Sequence, residues 1–291
     1  MILKNVNNAR TLNFTKDMVS VSRNRERLVR QADSAEVNMS ELMESFTRYF
    51  NVRTATTPDQ VEQALRLRYQ VYCLEHAFED PAEHPDGLER DQFDQRSVHS
   101  LLVYQGLNMV AGTVRLVLGD HECPDAPFPI EQIYDVGVYK PSFDLARVPR
   151  HAIAEISRFA ISKEFKKRFA ETEFAWGGSP EVNDPQVIAL IERRLIPHIV
   201  IGLFAGIVQM SAEYGITHWY AVMEPALLRL LRRFSIHFEP VGPLIDYHGK
   251  RQPCVAVAGE VMAAMESGCF DVWKVITKNG TIWPSAQSVA A

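Results

Sequence analysis

The chain has 291 residues, 46% of them apolar, and a net charge of −5. That apolar share supports a sizeable core, and the length allows one large domain with appendages. The weakly acidic balance argues against a general nucleic-acid binder, which needs a basic footprint. The cysteines Cys73, Cys123, Cys254 and Cys269 are widely spaced and form no C-x-x-C pair. Reduced thiols are therefore expected rather than a disulfide framework or a zinc site.

Residues 1–38 mix Asn, Ser, Arg and Glu with weak apolar periodicity. They read as a polar extension with a helical piece around Asn24 to Gln31. They lack the continuous apolar run of a secretory signal, so a cytoplasmic protein is expected. A helix over 40–46 and a strand over 49–55 follow. Residues 57–76 form a helix, capped by Thr57 with Pro58 in its first turn; Val61, Ala64, Leu65, Arg68, Val71 and Tyr72 recur at helical spacing. The polar stretch 79–97 reads as a long loop, and such loops inside compact domains are functional or disordered. Strands over 99–105 and 109–118 make a hairpin through Gly106 to Asn108. Residues 119–150 are irregular and rich in Pro and Asp. A strand over 155–162 leads into a basic helix over 163–169.

A long helix from Asp184 to Tyr214 carries Pro197, where a kink is expected. Its most apolar part, 195–210, is shorter than a bilayer span and reads as a buried helix. A strand over 217–223, a helix over 225–234, strands over 238–244 and 253–258 and a helix over 259–266 complete the pattern. The domain is expected over 39–266, with a weakly periodic tail over 267–291. This order predicts an α/β fold with a mixed, mostly antiparallel sheet flanked by helices.

Neither a dinucleotide fingerprint nor a Walker A sequence is present, and H-E-x-x-H and G-x-S-x-G are also missing. Nicotinamide chemistry, phosphoryl transfer, zinc proteolysis and the usual serine hydrolases are thereby disfavoured. What stands out is charge within apolar segments. Arg68 is on the inner face of the first main helix, Arg115 is inside a strand, and Asp91 and Asp94 share one loop. Glu155 and Arg158 sit in Glu155-Ile-Ser-Arg158-Phe159. Such charges must pair or stay solvated. Taken alone, the spacing fits structural salt bridges as well as a site.

Five ordered blocks resemble the acyl-homoserine-lactone synthases and their relatives, the long-chain N-acyl amino acid synthases. They are Arg68-Tyr-Gln-Val-Tyr72, Gly87-Leu-Glu-Arg-Asp91-Gln-Phe-Asp94, Gly112-Thr-Val-Arg115-Leu, Phe128-Pro129 and Glu155-Ile-Ser-Arg158-Phe159. The likeness covers roughly residues 48–262. The phrasing from Arg68 to His76 is similar to that of acyltransferases associated with bacterial PEP-CTERM/exosortase gene systems. The resemblance implies a GNAT-like fold, in which two splayed central strands admit a thioester arm. It implies an ion-paired cluster of Arg68, Asp91, Asp94 and Arg115, with Arg158 tied to it, and Glu155 beside the acceptor amine. Glu155, Ser157 and Arg158 are thus the candidate catalytic residues. Glu155 is the base for an ammonium that must lose a proton before attack, and backbone N–H groups at a strand irregularity are candidate oxyanion donors. No covalent intermediate, bound cofactor or metal is required, and Cys73 reads as a packing residue.

The donor is argued from an absence. Residues 162–168, Ser-Lys-Glu-Phe-Lys-Lys-Arg, contain no glycine, whereas CoA-using GNAT enzymes carry a Gly-rich pyrophosphate loop there. Lys163, Lys166, Lys167 and Arg168 suit an acidic acyl carrier protein bearing a phosphopantetheine thioester; a solvated helix face is the plain alternative. Tyr72, Phe78, Phe128, Phe159, Phe204 and Met210 are the candidate walls for acyl chain and acceptor, with ordinary core packing the alternative for each. Tyr72 stands where many lactone synthases have Phe, and Phe78 where they often have Trp. An amino acid acceptor is therefore favoured over S-adenosylmethionine. The rival readings are an acyl-homoserine-lactone synthase, a CoA-dependent N-acetyltransferase and a non-catalytic acyl-chain sensor. Weak membrane association is a route considered for product release.

Overall fold

The computed structural model describes residues 39–120, 122–134, 147–174 and 185–284. The helical piece expected around Asn24 to Gln31 lies outside them. The chain divides into two compact units, and the larger, Met39–Phe165 with Leu195–Ala291, contains all the described strands.

The elements run α1 (Met39–Tyr49), β1 (Phe50–Thr54), α2 (Pro58–Arg68), β2 (Ser97–Tyr104), β3 (Met109–Leu118), the short α3 (Pro129–Ile133) and β4 (Ile153–Ile161). Then come α4 (Lys163–Phe174), α5 (Pro185–Tyr214), β5 (His218–Met223), α6 (Pro225–Arg232) and β6 (Glu239–Pro240). The chain closes with β7 (Ile245–Asp246), β8 (Lys250–Val257), α7 (Ala258–Gly268) and α8 (Phe270–Ile276). In the smaller unit, Met1–Asn38 with Lys166–Arg194, the described residues all belong to α4 and α5.

The eight strands follow the order β1-β2-β3-β4-β5-β8-β6, with β7 on β8. Of the neighbouring pairs only β4–β5 is parallel, so the expected mixed, mostly antiparallel GNAT-like sheet is the one observed. β2 shows how it is covered. Leu101 and Val103 pack with Ala64 of α2. The alternate residues Ser100 and Leu102 meet α5 on the other face, as strand alternation requires. Two glycines let α5 lie close to the strands. A Cβ at Gly206 would stand 2.2 Å from the Ser100 hydroxyl oxygen, and one at Gly202 would stand 2.5 Å from Leu102. The stretch Leu195–Tyr214 is long and apolar enough to cross a membrane, yet it is mostly buried inside the fold. Helix α5 runs through Pro197 without ending.

The helix expected over 57–76 changes form partway. Thr57 and Gln60 close a capping box around Pro58, which starts α2 as the sequence predicts. After Arg68 the chain widens into a π-helical segment, Tyr69–Glu75. A π-turn carries an extra residue, which rotates everything beyond it by about 100° relative to a regular helix. Leu67 and Val71 are buried, but Leu74, next on that face at regular spacing, is 61% exposed.

Two features position the candidate site. β4 pairs with β5 from Ile153↔His218 to Ile156↔Ala221 and no further. Beyond that point β4 continues to Ile161 while β5 stays with β8. The pairing of the two central strands therefore ends after Ile156, at the place where the resemblance implies that they splay. The second feature is a β-bulge in β4. Thr113 pairs with Ala160 and Arg115 with Ser157, so Val114 alone faces both Arg158 and Phe159.

The strand expected over 238–244 is reduced to β6, and the β7–β8 hairpin was not expected. Its residues Tyr247, His248, Gly249, Lys250, Arg251 and Gln252 lack apolar alternation, so the period-2 signal fails there. In the stretch of weak periodicity after 266, α8 packs against α7 and α1, burying Val272, Trp273 and Ile276.

Candidate active site

The expected charged residues converge under α2. Arg68 has no exposed surface. Its Nη1 and Nη2 donate to the two carboxylate oxygens of Asp94 at 2.6 and 3.0 Å, and its Nε donates to Glu89 at 2.5 Å. Such planar two-point pairing is the strong form of a charged hydrogen bond. Asp94 is reached because Asp91 and Asp94 cap the 3-10 turn Gln92–Arg96 as a capping box. Arg115 of β3 donates to Asp91 at 2.6 Å and to the Ser157 hydroxyl at 3.0 Å, and lies 3.0 Å from Asp94. Arg158 donates to Glu79 at 2.9 Å and Glu89 at 2.9 Å, lies 3.2 Å from Asp91, and sits over the Tyr72 ring at 5.0 Å.

Arg158 reaches this cluster because of the bulge. On a regular strand it would point away from Ser157. Its φ of 49° is left-handed, a conformation that costs about 1–2 kcal/mol for a residue with a side chain and that the three carboxylate partners offset. Glu79, Glu89 and His99 do not stand out in the sequence. One signal was present: the arginines Arg68, Arg115 and Arg158 outnumber the aspartates Asp91 and Asp94, so further buried carboxylates were needed. Glu89 stands two residues before Asp91 in the same block. His99 is buried across from Arg115 in the β2–β3 register, with Nε2 3.6 Å from Asp94 and no partner for Nδ1. Burial, then the Arg68 charge, lower its pKa to about 4, which leaves it neutral near pH 7.

Burial by itself would raise the Asp94 carboxyl, but the hydrogen bonds and charge of Arg68, with Arg115, hold it below the ordinary range. Glu155 shows the reverse. It shares a strand face with Ser157 and is buried. One carboxylate oxygen accepts the Ile130 N–H at 2.7 Å, an N-terminal amide of α3. Burial pushes its pKa up to about 8, against that hydrogen bond and the Arg115 charge. Tyr220 stands opposite it in the β4–β5 register, and Tyr220, Ile130 and Phe128 belong to one apolar cluster.

The other expected residues divide. Tyr72 and Phe78 lie beside the charged cluster, with ring centroids 6.1 Å apart. Phe128 is fully buried, edge-on to Tyr220 at 5.6 Å, with Arg150 4.5 Å from its ring centre. Phe159, in the bulge, is half-buried. Phe204 and Met210 are not brought to this site. They are buried on α5, which covers the opposite face of the sheet, and Phe204 packs edge-on to Trp219 at 5.6 Å. Lys163, Lys167 and Arg168 are exposed and Lys166 is half-buried. Lys163 lies 3.8 Å from Glu75. Burial, with Glu89 and Glu79, raises the Cys73 thiol to about 11, which disfavours a thiolate nucleophile. Among the described residues no group of three or more His, Cys, Asp and Glu side chains could hold a metal ion.

Residues 67–176 match the family model described as acetyltransferase (GNAT) domain, a span that includes every member of the charged cluster and Glu155. Among solved structures, TofI in a ternary complex with an inhibitor and MTA is similar at TM-score 0.50 and 17% identity, covering 80% of this chain and 99% of that one. FeeM, an N-acyl amino acid synthase from uncultured soil microbes, gives TM-score 0.46 and 15% identity over 76% of this chain and 96% of its own. BjaI, a CoA-dependent acyl-homoserine lactone synthase solved with MTA, gives 0.44 and 16% over 82% and 90%. No curated protein matches the chain. The family match and the strand order together define a GNAT-like α/β fold.

Proposed function

We propose that this protein is an N-acyltransferase that moves a long fatty acyl chain from an acyl carrier protein thioester to the α-amine of an amino acid. The observation that carries the reading is Glu155: a buried carboxyl, with a pKa near 8, on the strand that parts from its neighbour one residue later. A general base works best when its pKa lies near the working pH. In the reaction the ionised Glu155 takes a proton from the acceptor ammonium, and the freed amine attacks the thioester carbonyl. The tetrahedral oxyanion is met by backbone N–H groups of the bulge at Arg158 and Phe159. The intermediate collapses to the amide as the C–S bond breaks; the second proton on the attacking nitrogen passes to the leaving thiolate, and the proton taken by Glu155 is released to solvent. Arg115 and Arg158 hold Ser157 and the bulge in place.

The start of α4 supports a carrier-protein donor. Ser162 accepts the Phe165 N–H at 3.0 Å, Glu164 adds negative charge to the first turn, and Glu75 stands beside Lys163. These groups occupy or repel at the helix end where a diphosphate would otherwise bind amides and dipole. In this reading Lys166, Lys167 and Arg168 steer the acidic carrier by charge. Tyr72 and Phe78 favour an amino acid over S-adenosylmethionine.

The test is a product assay. Purified protein is incubated with a long-chain acyl carrier protein thioester or the matching acyl-CoA, and with an amino acid pool or S-adenosylmethionine, and the products are identified by mass spectrometry. The expected product is an N-acyl amino acid, formed faster from the carrier-protein donor. A product only from acyl-CoA would overturn the donor, a lactone would overturn the acceptor, and no acylated amine in any arm would sink the reading.

A further inference from the structure

The β7–β8 hairpin, absent from every sequence block that suggests the site, reaches it through a run of ring contacts. Phe78 lies between two imidazoles: His76 stacks at 5.1 Å and 11°, and His248 of the hairpin tip lies at 4.9 Å and 40°. Tyr247 packs on His248 at 4.6 Å. On the other side Phe78 touches Tyr72 at 6.1 Å, and the Tyr72 ring carries the Arg158 guanidinium at 5.0 Å. The rings thus run unbroken from the hairpin to the bulge of β4. The hairpin belongs to the β5–β8 side of the parted strands, and Arg158 to the β4 side. The run therefore bridges one side of the gap that Glu155's strand opens.

The hairpin is built to present this tip. Its base is fixed by the Ile245↔Arg251 and Asp246↔Lys250 pairs and by Arg251 against Glu224 at 3.1 Å. At the tip His248 and Gly249 have φ of 53° and 93°. Two successive left-handed residues match the twist of a tight hairpin, where Asn-Gly is the usual choice. Histidine replaces the asparagine here, and its ring lies on Phe78. Both rings are half-buried, so they keep surface that a small molecule can cover.

We propose that His248, with Phe78, forms the wall that receives the acceptor's side chain, and so selects amino acids with apolar side chains over glycine. This rests on the functional reading above. Ring surface offers an apolar side chain contact and removal from water, and offers glycine nothing. A single pocket contact of this kind discriminates about tenfold or more.

The experiment compares leucine and glycine as acceptors, with a long-chain acyl carrier protein thioester as donor, for wild type, His248→Asn and His248→Ala. Asparagine tolerates the left-handed turn, so His248→Asn removes the ring while keeping the hairpin, and thermal unfolding of each variant verifies the fold. The expected result is a fall of about tenfold in the leucine-to-glycine ratio of kcat/KM in both variants. A ratio within twofold of wild type in folded His248→Asn overturns the proposal. So does a wild type that prefers glycine. A wild type that acylates neither amino acid overturns the inference, and if the amino acid pool also yields no acylated product the functional reading itself fails. An active enzyme with an unchanged ratio removes only the inference.

Discussion

Arg68 and Glu155 are both buried charged residues, and the chain handles them in opposite ways. Arg68 sits among carboxylates that match its guanidinium atom for atom. Among the described residues Glu155 accepts only the backbone N–H of Ile130, beside an apolar cluster that includes Ile130 and Tyr220. Burial opposes ionisation at both places. Under α2 the arginines reverse it, and Asp94 is held below the ordinary range. At Glu155 nothing of that strength does, and the pKa rises from 4.5 to about 8. Matched buried charges stay ionised and make a rigid scaffold. A lone buried carboxyl becomes a group that exchanges a proton near neutrality, and the bulge at Arg158 ties the first region to the strand that carries the second.

Breaking the matched region gives the largest effect. Arg68→Ala leaves Glu89 and Asp94 buried with fewer partners, and breaking a buried pair costs about 3–5 kcal/mol. For a chain of this size that lowers the midpoint of thermal unfolding by roughly 10 °C. Chemical denaturation with matched m-values measures the loss directly. A loss under 1 kcal/mol would mean that the cluster is not the scaffold described.

Glu155→Gln strikes the other region and separates the two. Glutamine keeps the shape and the acceptor for the Ile130 N–H, so the fold survives, while turnover falls by about 10²–10⁴-fold, the range for a lost general base. In wild type kcat should rise with pH through about 8, as Glu155 ionises. The stability of the two regions should move with pH in opposite directions. Glu155's pKa is raised on folding, so its contribution is fully present below 4.5 and is lost as pH climbs to about 8. Asp94's is depressed, so its contribution is present above 3.8 and is lost as pH falls further. Urea titrations of wild type and Glu155→Gln between about pH 2 and 9 test this. The variant should lose the slope between 4.5 and 8 and keep the acid limb. Unchanged turnover in Glu155→Gln would refute the assignment of the base.

The contrast also marks what the sequence could say. The sheet was legible because β2, β3 and β5 carry dense apolar runs between turn residues. Arg68, Arg115 and Arg158 were legible because a charge inside such a run has to find a partner. The partners Glu79 and Glu89 were harder to see, since an acidic residue in a polar loop looks like every other one until its arginine is counted. The π-helical segment is invisible to a 3.6-residue period, which continues Leu67 and Val71 to an expected burial of Leu74 that does not occur. Phe204 and Met210 looked like pocket walls because a long apolar helix gives no sign of which face of the sheet it covers. The glycines that seat α5 on Ser100 and Leu102 fix that face only in three dimensions. The hairpin tip was lost for the same reason: its meaning lies in contact with Phe78, remote in sequence.

Ser157 lies between the two regions and gives the smallest effect. Its hydroxyl accepts the Arg115 Nε at 3.0 Å, and it precedes the bulge on the face that Glu155 shares. Ser157→Ala removes one hydrogen bond to a charged donor, and Arg115 keeps Asp91 and Asp94. The stability loss should be about 1–2 kcal/mol. If Ser157 only braces Arg115 and the bulge, turnover should fall far less than in Glu155→Gln, and the rise of kcat with pH should persist, because the titrating group is untouched. Steady-state rates from pH 6 to 9 for both variants settle which role it has. A loss in Ser157→Ala as deep as that of Glu155→Gln, at intact fold and with the pH profile flattened, would make the hydroxyl part of the proton path, and the scaffold and the reacting strand would then share a catalytic residue.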